Sequence, residues 1–389
     1  MKREQQRRDP VSEPADHVPR QRAYYVDWLR VIAVLLLVPF HSAMIFVPWP
    51  YHLKNAETSV ALEVFNRFLG IWHMPLLFFI AGAGTWFALG HRTAREYITE
   101  RVRRLLVPLA FGMLVIVPPQ TYLERLQQGR FRGSFVDFYP HFFEGVYPAG
   151  NFTWNHLWFL AYLFVFSLLL LPFFLRARGG GGRVARAISR LRSGPSLLLL
   201  AVPLMAVQAC LRVRWPGEQN LVDDWANFCF YLTMFAYGYA VFAAQGAVDR
   251  IAGSRWVFLG IGLLGILVVA TVELSGAGPR WGYNAGCITY LAFTGFNTWS
   301  WVLAIVGFAR VLLDRAGPWH SYAATSSLPF YILHQTVIIV IGYHVVRWEA
   351  GVMVKFIAVT ASSCAAFVAV YELLVRRCKP LRFLFGMRP

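Results

Sequence analysis

Long apolar runs separated by short charged segments dominate the chain from about residue 28 onward. Ten of them are long enough, or nearly so, to cross a bilayer, since a helix needs ~20 residues to span ~30 Å of hydrocarbon. They fall roughly at 28–47, 68–89, 104–123, 156–175, 196–211, 225–245, 256–274, 287–313, 325–346 and 352–374. The fifth is the weakest, being short and interrupted by Pro203 and Gln208. The third ends on Pro118 and Pro119, which lack amide hydrogens and predict a break or kink. Residues 1–22 are polar, charged and proline-containing, the signature of a disordered basic tail. The first run starts late and lacks a good small-x-small cleavage site, so it predicts a retained helix. The expected fold class is all-α: a polytopic helical membrane bundle over 23–375, followed by a basic tail over 376–389.

Composition agrees with that pattern. The 389 residues are 57% hydrophobic and only 15% charged, whereas a soluble domain is about half apolar and a quarter charged. The net charge of +17 would suggest nucleic acid in a soluble protein. Here the basic residues lie beside apolar runs, where they signal topology and meet anionic membrane lipid. No nucleic-acid motif is visible. With the N-terminus inside, 25 loop and tail lysines and arginines fall on the inner side and 9 on the outer. That bias predicts two cytoplasmic termini and an even number of spans. Four glycines at 179–182, within an arginine-rich stretch over 176–195, read as a flexible cytoplasmic linker between four helices and six. No internal repeat is evident, which weakens transporter folds built on duplicated halves. The five cysteines and ten histidines show no disulfide or metal spacing, so no metal is expected.

Ionisable side chains inside spans are costly and therefore candidates for function. The first run carries Asp27, Arg30 and, eleven residues later, His41. Eleven residues make close to three turns, so Arg30 and His41 share a face ~16 Å apart along the axis. Arg30 then lies near the cytoplasmic surface and His41 deep in the bilayer, with Asp27 one turn away to pair with Arg30. Such a pair suits a ligand entering phosphate-first; an interfacial anchor and a packing histidine are the structural alternative. Arg101 and Arg104 lie on one side of the third helix and could grip a phosphate, although positive-inside signalling is the simpler account of them. His334 and Gln335 in the ninth run form a second polar site. The outer loop before the fourth run is about 30 residues long and rich in aromatic rings. It leads to Asn155, His156 and Trp158, which would suit an external sugar or serve as interfacial anchors. His73 is expected at the outer end of the second run, an unremarkable interfacial place that could also touch such a ligand. Near the inner end of that run, Gly82 and Gly84 predict close helix packing, and Glu372 is placed to pair with Arg376.

Five short motifs occur in order: Arg30-x10-His41, Phe78-Phe-Ile-Ala-Gly82, Arg101-x-x-Arg104 before Leu-Leu-Val-Pro, His156-Leu-Trp158-Phe-Leu, and Tyr331-Ile-Leu-His334. Together they resemble the membrane acyltransferase 3 family, over nearly the whole chain from Tyr24 to Gly386, and within it the branch that succinylates periplasmic glucans. Ala81 departs from the serine more common there. The resemblance implies an enzyme of the bacterial inner membrane that moves an acyl group, acetyl or succinyl, from cytoplasmic acyl-CoA to a hydroxyl of an extracytoplasmic carbohydrate. It implies that Arg30 and His41 are the essential pair and that Arg101 and Arg104 hold CoA phosphates. His41 would act as general base or as a transient acyl carrier, with His334 assisting. A sugar or glycan exporter without acyl-transfer chemistry is the competing reading. The sequence permits a homodimer but has no feature that decides it.

Overall fold

The computed structural model describes residues 23–178 and 182–387. The tail at 1–22, the first three linker glycines and the last two residues lie outside the described residues. No strand is present among the described residues. Eight helices are long and apolar enough to cross a membrane: α1 Tyr24–Met44, α2 Val60–Leu89, α3 Ala94–Gln127, α6 Trp225–Ala243, α7 Arg255–Glu273, α8 Ala285–Leu312, α9 His320–Val345 and α10 Val352–Val375. Two shorter apolar helices lie among them, α4 Asn155–Leu169 and α5 Pro195–Leu211. The fifth and weakest run is accordingly one of the short ones.

The bundle's two ends are tied differently. At one end Trp28 donates its indole N–H to the Arg315 carbonyl at 3.1 Å, Arg250 donates to the Ile188 carbonyl at 3.3 Å, and Arg178 donates to the Arg92 carbonyl. Gly386 lies against the Arg104 carbonyl there, so the start and end of the described chain share this arginine-rich end. At the other end the Lys54 amide reaches Gln127 at 3.0 Å, Arg67 pairs with Glu273 at 2.9 Å, and Lys355 reaches Asn55 at 3.1 Å.

Proline and glycine positions set the helix contacts. Pro75 has no N–H for the Ile71 carbonyl, which instead accepts the Thr298 hydroxyl of α8 at 2.8 Å. Pro118 likewise frees the Leu114 carbonyl, which accepts from Tyr139 at 3.0 Å. The Ile116 carbonyl accepts from Thr336 of α9 at 2.7 Å. The expected kink of α3 is thus a change of hydrogen-bond partners, with π-type turns over Val102–Leu106 and Gly112–Ile116. Gly82 and Gly238 let α2 and α6 touch backbone to backbone. A Cβ on Gly82 would stand 1.9 Å from the Phe235 carbonyl oxygen, and one on Gly238 1.8 Å from that of Phe79.

The α2–α6 contact joins the first four helices to the last six. Part of the expected flexible linker is regular: Gly182–Arg190 is helical, with Ala185 and Ile188 buried while its arginines face outward. Alternating arginine with small and apolar residues makes it amphipathic, which the glycine run masks in the sequence.

Candidate active site

Arg30 begins the site. Its Nη2 donates to Asp27 Oδ1 at 2.8 Å, as the one-turn spacing predicts. His320, at the start of α9, stands 3.4 Å from the other Asp27 oxygen and packs edge-on to Tyr24 and Trp28. The sequence reading missed His320, because nothing local marks a histidine at a helix start.

Arg30 and Asp27 line a cavity of about 1380 Å³ bounded by α1, α2, α3, α4 and α9. Its mouth carries Arg30, Arg92, Arg101, Arg104 and Arg178. Glu100 lies among them, 2.6 Å from Arg92, 3.5 Å from Arg104 and 3.8 Å from Arg101. Five guanidinium groups against two carboxylates, Asp27 and Glu100, leave net positive charge, suited to a polyanion. Both members of the Arg101–Arg104 pair face this space, with Arg101 also lying 4.7 Å over the Tyr97 ring. Deeper in, the walls are Val34, Leu77, Ile80, Phe159, Leu160 and Leu163, and the floor includes Tyr331. The cavity is therefore charged at its mouth and apolar at its depth.

Beyond Tyr331 three histidines meet. The His334 ring lies 4.8 Å from His41 and 4.9 Å from His156 between centroids. Three different helices supply them, so none of these contacts is local. Each ring has its tautomer set by a backbone carbonyl, which can only accept. His41 Nδ1–H donates to Leu37 at 3.1 Å, and His334 Nδ1–H donates to Tyr331 at 2.5 Å. His156 donates from Nε2 to Ile332 at 2.9 Å. Nε2 of His41 and of His334 are thus left as lone pairs. That of His334 is buried with no partner among the described residues. Tyr331 donates its hydroxyl to the His156 carbonyl, fixing the cavity floor to the histidines.

Gln120, fully buried on α3, organises the outer side of this cluster. It donates to Thr336 at 2.6 Å and accepts from Gln335 at 3.0 Å and Asn155 at 3.1 Å. Asn155 adopts φ +42°, a left-handed turn that asparagine tolerates and that aims His156 inward. A glutamine within a span is a signal that sequence reading could have used.

Several expected positions change. His73 is not interfacial: α2 starts at Val60, earlier than its apolar run, so His73 is buried mid-helix and donates Nε2–H to the Ala33 carbonyl at 2.7 Å. His156, which opens the fourth run, is buried in the histidine cluster. Trp158 is also buried, its ring against Phe78, Tyr162 and Tyr231.

A family profile for an acyltransferase domain matches residues 23–372. The chain belongs to the acyltransferase 3 family. This membrane acyltransferase is also similar to glucans biosynthesis protein C of Escherichia coli strains K12, SMS-3-5 and O139:H28. It is 23% identical to each over 388 residues, covering 96% of both chains. No solved structure matches it.

Proposed function

We propose that the protein transfers an acyl group, acetyl or succinyl, from acyl-CoA bound at the arginine-rich end to a hydroxyl of a carbohydrate arriving from the opposite end. The carrying observation is the cavity: five arginines at its mouth, apolar walls, and a floor at Tyr331, one turn from His334. The loop charge bias supports a cytoplasmic mouth in a bacterial inner membrane. Arg101, Arg104 and Arg30 take the CoA phosphates, and Asp27 holds Arg30 in place. The pantetheine arm lies along the apolar walls and brings the thioester past Tyr331 to the histidines. Nε2 of His41 acts on the acyl group, either by taking the acceptor's proton or by carrying the acyl itself. His334 supplies a second imidazole lone pair beside it. The similarity to glucans biosynthesis protein C favours a glucan acceptor.

The test uses purified protein in lipid nanodiscs with acetyl-CoA or succinyl-CoA and a β-glucan oligosaccharide. Glycan-dependent thiol release, with ester detected on the glycan by mass spectrometry, is the expected result. An exporter would move the oligosaccharide across a vesicle membrane without consuming thioester.

A further inference from the structure

Past the histidine cluster, on the side away from the arginine-rimmed cavity, a histidine–carboxylate pair is built. His52, in the loop after α1, donates Nδ1–H to a carboxylate oxygen of Glu124 near the end of α3. Glu124 is only 3% exposed, a costly place for a carboxylate unless its oxygens are bonded. They are: Gln128 donates at 3.1 Å, Tyr147 at 3.3 Å and Arg125 at 3.4 Å. Burial, and then the Glu124 charge, push the Tyr147 phenol up to about 12, so it stays a donor. Arg125 is itself fixed by Asn151 at 2.8 Å and the Gly150 carbonyl at 2.7 Å. The carboxylate is therefore held still and aimed at one ring nitrogen. That leaves the opposite nitrogen of His52, Nε2, as a lone pair with no hydrogen bond among the described residues. A carboxylate on Nδ1 stabilises the imidazolium formed when Nε2 takes a proton. His41 and His334 have only backbone carbonyls in that position.

Tyr51 connects this pair to the histidine cluster. Its ring lies 5.4 Å from His52 and 6.2 Å from His41, and its hydroxyl is buried without a partner among the described residues. An unpaired buried hydroxyl is costly, and a bound hydroxyl of the acceptor would satisfy it.

We propose that His52, oriented by Glu124, is the acceptor-side base, and that His41 is the acyl carrier. This rests on the acyl-transfer reading above. Nε2 of His41 bonds the acyl carbon as the carbon–sulfur bond breaks, its electron pair leaving on sulfur. The thiolate takes a proton from water at the arginine-rich end. The acceptor oxygen, bonded through Tyr51, then attacks the acyl carbon while its proton passes to Nε2 of His52. The carbon–nitrogen bond breaks and its electron pair returns to His41. His52 gives its proton to water at the outer end.

The experiment compares wild type, His52→Ala and Glu124→Gln in nanodiscs with acetyl-CoA, succinyl-CoA and a β-glucan oligosaccharide. His52→Ala should lower glycan-dependent turnover about 100-fold. It should still release one thiol per enzyme in a rapid burst at an unchanged donor KM, and free imidazole should restore turnover. Glu124→Gln, which preserves shape, should lower turnover about tenfold or more with the burst intact. Wild-type turnover in both variants overturns the proposal. So does loss of burst and turnover together without imidazole rescue, which makes the pair a structural clamp. Imidazole rescue without a burst removes the carrier assignment of His41. If wild type releases no thiol from either donor, the acyl-transfer reading itself falls.

Discussion

The two approaches to the histidine cluster are built in opposite ways. On the arginine-rich side the polar groups are incompletely paired with one another and surround open space. Arg101 and Arg104 share one carboxylate, Glu100, with Arg92. On the outer side the polar groups bind each other: Gln120 with Thr336, Gln335 and Asn155, and Glu124 with His52, Arg125, Gln128 and Tyr147. An underpaired cationic cavity is suited to binding a polyanion again and again, since little internal bonding must be broken. A self-satisfied polar network is suited to holding side chains rigid, because each buried group is costly to release. One side is thus suited to receiving a ligand, and the other to holding side chains in fixed positions.

That contrast can be broken at its centre first. His41→Ala should reduce transfer about 10³-fold while the protein remains folded in the membrane, measured as esterified glycan per mole of enzyme. Normal acylation by this variant would remove His41 from the chemistry. On the cavity side, the double change Arg101→Ala and Arg104→Ala should raise the donor KM about 10- to 100-fold, since charge-assisted hydrogen bonds contribute ~1.5–3 kcal/mol. kcat at saturating donor should change much less, and CoA titration calorimetry should show the same loss. An unchanged CoA affinity would reject the phosphate role. At the boundary, Tyr331→Ala should join the cavity to the histidines and admit water. Thiol release without glycan should then rise about tenfold above wild type, as expected when an excluded solvent gains access. The smallest effect belongs to the exposed outer rim. Arg67→Ala, which breaks the pairs with Glu63 and Glu273, should leave turnover within about twofold and melting nearly unchanged, because exposed ion pairs contribute ~0–1 kcal/mol. A large loss there would show that the outer rim takes part in acceptor binding.

The sequence was most informative where a single helix carries the signal. Arg30 and Asp27 pair as their spacing predicts, and Glu372 and Arg376 meet at 2.8 Å. Arg101 and Arg104 face one space because three residues keep them on one side of α3. His73 sits deeper than hydropathy alone indicates, because Glu63, Asn66 and Arg67 interrupt the first turns of α2 and hide its true start at Val60. His156 and Trp158 open a run that follows an aromatic loop, and the turn at Asn155 shows that the chain bends inward before them. His52, Glu124 and His320 carried no signal at all, since each sits at or beyond the edge of an apolar run, where a charged side chain is ordinary.

The sequence by itself determined an all-α membrane protein, its approximate spans, the charge asymmetry of its loops and the family to which it belongs. Those follow from helical periodicity and from the cost of exposing polar groups to hydrocarbon, both readable along one strand of chain. Only the tertiary structure decided that His41, His156 and His334 share one cluster, that Tyr331 separates it from the arginine-rimmed cavity, and that Glu124 orients His52. Each of those contacts joins segments distant in the chain. They depend on how helices pack through Gly82, Gly238 and the proline-freed carbonyls, and no local pattern encodes that packing.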